Sequence, residues 1–269
     1  MRPMTCNSNE FYGHGHVLRT YAGLPMGPLR GRVQHGWTPG PIAVLDELTV
    51  RGEPYFVWTE RDALGLRRGC TTSNPIMIGA PYLYTESPAV HPSRSGVVAF
   101  PHHSLNHRVL KDTGRWRAYA QDFRHWAKAE GLMPAVACLH IRDFERGDVI
   151  RAFEYAGVEV TTCGDAMNPF FLKRFDDVLL KFAAATSNRV STAIFYALFM
   201  GLPCIVRGDP MLCEPPDVLE EETSSHEWRV KHYPELTVLA ENQLLAARQL
   251  GRHNMKKPME LSALLEVLD

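Results

Sequence analysis

Short apolar runs alternate with stretches of helical periodicity along most of the chain, and this alternation restricts the fold more than any single motif. Strand-sized runs fall at 31–34, 55–58, 75–78, 96–100, 135–139, 158–161, 178–181 and 204–206. Helical patterns fall at 115–130, 147–155, 169–175, 189–200 and 235–250. Parallel neighbours in a sheet need a long crossover, which a helix supplies, so the pattern predicts α/β layers on a mainly parallel sheet. Within 115–130, Trp116, Tyr119, Phe123 and Trp126 recur at spacings of 3, 4 and 3. That is an apolar stripe on one helix face, and it belongs to a core.

The stretch 79–95 (GAPYLYTESPAVHPSRS) carries three prolines between two strand-like runs and reads as a linker. It divides the chain into a short half, 1–85, and a longer half, 86–269. With 45% apolar and 22% charged residues the chain can build a sizeable core and is not disordered. Lys plus Arg is 29 against 30 Asp plus Glu, so there is no basic field for non-specific nucleic-acid binding. The six cysteines form no CxxC pair and read as reduced thiols. No apolar h-region opens the chain and no run approaches a membrane span, so the expectation is a cytoplasmic protein, with peripheral membrane association left open.

The sharpest local pattern is 183–209, AAATSNRVSTAIFYALFMGLPCIVRGD. A strand ends in Thr186, Ser187 and Asn188, followed by Arg189. A helix opens with Val190, Ser191 and Thr192 and stops at Gly201, and Pro203 and a buried strand follow. Asn188 is placed to cap this helix, and Gly201 suits the left-handed residue that ends one. Free backbone N–H groups and hydroxyls at such a helix start suit a phosphate. The bland alternative is an ordinary cap, which needs fewer polar residues than stand here.

Nine of the twelve histidines precede residue 141. His102 and His103 follow an apolar strand and Pro101, where ligands of open α/β sheets bind, and can meet a phosphate or act as acid and base. The alternative is an exposed loop pair. His35, before Gly36, is placed to be a general base. Glu60 and Asp62 follow the next strand; they are ordinary turn residues unless one orients His35 or binds an acceptor. His140, Arg142 and Glu145 close another strand, where they can contact a base or ribose. His14 and His16 share a face if extended, but no third ligand stands at metal spacing, so a loop is expected there. No complete dinucleotide fingerprint, P-loop, HExxH, GxSxG or Asp-x-Asp motif occurs. The simpler expectation is a mechanism with no metal and no cofactor.

Three of these segments together resemble GT-B-type glycosyltransferases of the bacterial capsule and wall-polymer branch, the CDP-glycerol glycerophosphotransferase-like and sialyl- and Kdo-transferase-like enzymes. His35-Gly36 with Pro39 is similar to their HG-x-P motif, with one more residue before the proline. Pro101-His102-His103 is similar to a Pro/His motif on the donor phosphates, and Ser191-Thr192 through Pro203 to a Ser/Thr helix start. The resemblance implies two Rossmann-like halves, the N-terminal one small, with the donor nucleotide held mostly by the second. It implies His35 as catalytic base, with Ser191, Thr192 and His102 or His103 on the donor phosphates. Their own placement at strand ends adds Glu60 to the catalytic candidates and His140, Ser187, Asn188 and Arg189 to the nucleotide-binding ones, and no metal ligand is expected. A nucleotide-sugar donor and a hydroxyl acceptor are the implied partners, nucleic acid is not, and oligomeric state stays open. Two alternatives stand beside the glycosyltransferase: a nucleotide-sugar epimerase or hydrolase of the same architecture, and a non-catalytic nucleotide-binding scaffold.

Overall fold

Among the described residues, the paired strands of two sheets all run parallel, with one isolated antiparallel bridge between Cys204 and Ala240. The structure is a computed structural model that describes residues 7–40, 54–69, 74–85, 94–104, 110, 112–212 and 218–266. The chain forms two compact units. Unit 1 comprises Met1–Ser87, Asp165–Lys173 and Leu244–Asp269, and unit 2 comprises Pro88–Gly164 and Arg174–Gln243. The expected division was one cut at 85/86; here two later segments also group with the first unit.

Unit 1 carries helix α1 (His14–Ala22), strands β1 (Arg32–Val33) and β2 (Pro54–Val57), helix α2 (Glu60–Gly69) and strand β3 (Asn74–Met77). The strands lie in the order β1-β2-β3. Tyr55, Val57, Ala63 and Leu66 form its buried cluster. The helix α1 corrects the loop expected around His14 and His16. Gly13 and Gly23 in left-handed conformation bracket it, and Leu18 and Ala22 bury its inner face. The helix α2 likewise corrects the turn expected at Glu60 and Asp62. The Thr59 hydroxyl and the Asp62 carboxylate bond each other at 2.6 Å and cap this helix, and Asp62 is buried.

Unit 2 begins with β4 (Val97–Ala99) and continues through α3 (Thr113–Ala129), β5 (Ala135–Cys138), α4 (Ile141–Phe144), α5 (Gly147–Tyr155), β6 (Glu159–Thr161), α6 (Phe171–Leu179, whose first three residues group with unit 1), β7 (Ala184–Ser187), α7 (Thr192–Phe199) and β8 (Cys204–Val206). The last helices of the chain are α8 (Val218–Ser224), α9 (His226–His232), α10 (Gln243–Gln249) and α11 (Pro258–Glu266). Sheet order in unit 2 is β6-β5-β4-β7-β8. The aromatic stripe of α3 is core: Trp116, Tyr119 and Phe123 are buried against Phe153 of α5, with Trp126 at the margin. Full burial of one such side chain contributes about 1.5–3 kcal/mol.

Two other expectations are corrected. The run 178–181, expected as a strand, completes α6, and the strand follows at β7. Leu172, Phe175, Val178 and Leu179 are buried at helical spacing, a period that a four-residue window cannot tell from a strand. The single helix expected over 235–250 is a short 3-10 turn, Pro234–Leu236, and then α10. Gly201 ends α7 with φ +77°, as its place in the sequence suggests. None of the described helices is long and apolar enough to cross a membrane.

Candidate functional site

Counting from β4, the chain of unit 2 lays its strands outward to β6, then returns to the other side of β4 with β7. This is the doubly-wound order. It makes the carboxyl ends of β4 and β7 the point where the connections diverge, and ligands of such sheets bind in that crevice. The segments that leave β4 and β7 there carry Pro101-His102-His103 and Asn188-Arg189.

Side-chain hydrogen bonds lock these two segments together. The Ser187 hydroxyl donates to the Phe100 carbonyl at 2.7 Å and accepts the Arg189 N–H. The Asn188 side chain accepts the His102 N–H at 2.7 Å and donates to the Asp209 carbonyl at 2.7 Å. Asn188 is 0% exposed and Ser187 is 1% exposed. Both were expected to bind the nucleotide, and Asn188 to cap the helix. The structure gives their polar atoms to the protein itself, and Ser191 takes the N-cap position instead. Each is thus a brace behind the crevice.

Arg189 and three imidazoles line this edge. The Arg189 guanidinium lies 3.1 Å from His102 Nε2 and 3.4 Å from its Nδ1. The His102 and His103 rings are stacked at 5.7 Å, and the His103 and His140 rings at 4.4 Å. His140 also caps α4, its Nδ1 accepting the Arg142 N–H at 3.3 Å. Arg189 carries positive charge at any physiological pH.

Ser191 and Thr192 open α7, an eight-residue helix. The Ser191 hydroxyl is buried and makes no hydrogen bond among the described residues. A helix N-terminus with an unused hydroxyl beside an arginine is a good environment for an anion.

Sequence reasoning missed Asp143 and Ser104. Asp143 is 0% exposed and accepts both the Ser104 N–H, at 2.8 Å, and the Ser104 hydroxyl, at 2.7 Å. Arg146 stands 3.6 Å away and offsets the buried charge. No local pattern signals this contact, since Ser104 lies 39 positions from Asp143.

The other two candidates lie in unit 1. His35 is exposed, with the Phe11 ring edge-on at 5.1 Å and the Tyr12 ring at 4.8 Å. Gln34 sets its turn, since its side chain donates to the Gly36 carbonyl and accepts the Trp58 N–H. Glu60 is exposed on the first turn of α2, where an acidic residue also favours the helix dipole. His14 is 1% exposed with neither ring nitrogen hydrogen-bonded among the described residues. Burial, with His35 nearby, pushes its pKa down to about 3. Among the described residues no three metal-ligating side chains converge.

The whole is an α/β protein whose second unit carries a doubly-wound sheet with a cationic, imidazole-rich edge. No family model and no curated protein matches the chain. Among solved structures, a UDP-GlcNAc 2-epimerase from Neisseria meningitidis bound to UDP-GlcNAc is similar at 13% identity and TM-score 0.39, over 79% of this chain and 59% of that one. S. aureus MnaA with UDP is similar at 14% identity and TM-score 0.39, over 78% and 56%. A mutant of S. aureus TarM, in complex with fondaparinux, alpha-GlcNAc-glycerol and UDP, is similar at 12% identity and TM-score 0.37, over 79% and 42%. The chain thus spans 42–59% of the length of these structures. At such values the functional reading rests on the site's own geometry.

Proposed function

We propose that unit 2 binds a nucleotide-sugar by its phosphates, and that the protein is a metal-independent glycosyltransferase moving the sugar to a hydroxyl acceptor. The observation that carries this reading is the brace between His102 and Asn188. It sets Arg189, the imidazoles and the start of α7 around the switch point of a doubly-wound sheet. Arg189, the start of α7 and His102 would stabilise the charge that develops on the departing phosphate. His102, His103, His140, Arg189, Ser191 and Thr192 are proposed to touch the donor, with Ser187 and Asn188 as braces. His35 is proposed as the base that deprotonates the acceptor, and Glu60 as its companion.

A nucleotide-sugar epimerase or hydrolase is the second reading. The stack of His103 on His140 favours it, because two imidazoles in one unit can serve as acid and base without an acceptor. Donor turnover with no second substrate would select it.

Thermal unfolding with UDP, GDP, dTDP, CDP and CMP, with no metal added, tests the donor site. A ligand that binds only the folded state raises the melting temperature. One or more of the five is expected to do so; no shift from any of them overturns the reading.

A further inference from the structure

The hydrogen bonds around His103 decide which of its ring nitrogens carries the proton. His103 Nδ1 lies 2.9 Å from the Ser104 carbonyl oxygen. A carbonyl only accepts, so Nδ1 donates, and in the neutral ring Nε2 is left with its lone pair. Ser104 has no freedom to move away. The Asp143 carboxylate takes both its N–H and its hydroxyl, and the same hydroxyl accepts the Leu110 N–H at 3.1 Å. Arg146, which faces Asp143, donates to the Leu110 carbonyl at 2.8 Å. One buried carboxylate therefore ties Ser104 to Leu110. His140, stacked on His103, is set the other way. Its Nδ1 accepts a backbone N–H, so in the neutral ring the proton sits on Nε2.

We propose that Asp143 is a positioning residue: acting through Ser104, it holds His103 in the Nδ1–H tautomer, so that Nε2 accepts a hydrogen bond from a hydroxyl of the ligand. The ligand half of this inference rests on the nucleotide-sugar reading above; the tautomer half rests on the hydrogen bonds alone. It divides the crevice by chemistry. Arg189 and the start of α7 suit the phosphates, whereas a neutral His103 cannot donate to a phosphate oxygen through Nε2 and selects a hydroxyl instead. Among the described residues, the charged and titratable groups that face His103 are His102 and His140 by ring contact, Arg189 beyond His102, and the Asp143–Arg146 pair beyond Ser104.

The test is nitrogen NMR of the whole protein with 15N-labelled histidine, at a pH of about 8, where ordinary imidazoles are neutral. In the ligand-free protein His103 is expected as Nδ1–H and His140 as Nε2–H. Ser104→Ala, which keeps the backbone hydrogen bond, should shift His103 toward the other tautomer, and Asp143→Asn should shift it further. The wild-type spectrum alone decides the tautomer if Asp143→Asn does not fold. His103 found as Nε2–H, or unmoved in both folded variants, overturns the positioning role. Saturating UDP-glucose is then expected to move the His103 Nε2 resonance, and pyrophosphate, which has no hydroxyl of this kind, to leave it in place. Bound UDP-glucose that does not disturb Nε2 overturns the ligand role. If neither UDP-glucose nor any of the five nucleotides binds, the donor reading fails and takes the ligand role with it, and the ligand-free spectrum still judges Asp143.

Discussion

The backbone N–H of His102 donates to the side chain of Asn188 at 2.7 Å, joining two segments 86 positions apart in the sequence. Every group assigned to the donor in unit 2 depends on this bond or lies within one strand of it. Removing Asn188 therefore tests the architecture of the crevice as well as its chemistry.

Asn188→Ala leaves the partly buried His102 N–H and the Asp209 carbonyl without their side-chain partner. Such a loss costs about 1–3 kcal/mol per stranded group. The melting temperature should fall by about 2–4 °C for each kcal/mol lost, and nucleotide affinity should fall by tenfold or more. Calorimetry with and without ligand reads both. An unchanged melting temperature would show that the brace carries no stability.

Ser191→Ala should behave in the opposite way. The hydroxyl makes no hydrogen bond among the described residues, so stability should change by no more than about 0.5 kcal/mol. Combined with Thr192→Ala, it should still weaken nucleotide binding by about tenfold, or 1.4 kcal/mol. Isothermal titration of the double variant checks this. Full affinity would remove the start of α7 from the site.

His35→Ala should leave nucleotide binding unchanged and abolish transfer. His35 is exposed at the end of β1, and its removal costs little packing. Binding and turnover measured on one preparation separate the two effects. Transfer that survives would point to the epimerase, hydrolase or scaffold reading.

His14 makes stability depend on acid. Its pKa is lowered to about 3 by burial, with His35 contributing, against about 6.5 in the unfolded chain. The unfolded state therefore takes up a proton that the folded state refuses. Stability is intact above pH 6.5 or so and falls by up to about 1.4 kcal/mol per pH unit below it, down toward the folded value. His14→Phe keeps a ring in place and removes the titration. Chemical denaturation at pH 7 and at pH 5 should show a smaller difference for this variant than for wild type. Equal differences would exclude His14 as the source.

Asp209 adds a weaker acid-side effect. Burial raises its pKa, but the Arg115 hydrogen bond, the Met211 N–H and the Arg115 charge outweigh burial and hold it below the usual carboxylate range. The stability from that pair is present above the ordinary carboxylate pKa and is lost as pH falls through the lowered one. Asp209→Asn should flatten the lower end of the acid profile without altering the His14 region. A profile that keeps its shape would assign the lower limb elsewhere.

Local pattern carried most of the layer plan. The apolar runs at 204–206 and 135–139 and the helix at 147–155 emerge at those places or within a residue of them, because strand and helix periods are written in neighbouring side chains. Where that signal is short, it misled. The four residues 178–181 fit a strand as well as the end of α6, and glycines hid α1. His102, His103, His140 and Arg189 were readable as candidates for the same reason: each follows a strand, at the edge where such sheets bind ligands.

What side chains do once there was not readable. Ser187 and Asn188 look like ligand groups in sequence and act as braces, because β4 and β7 become neighbours only when the sheet forms. Asp143 gives no sign in sequence of holding Ser104, 39 positions away. Composition and periodicity settled an α/β chain with a parallel sheet and marked the histidines at strand ends. Strand order, the braced crevice and the tautomer of His103 came only from tertiary structure, since a hydrogen bond between distant segments depends on which strands pair, and neighbouring residues carry no record of that choice.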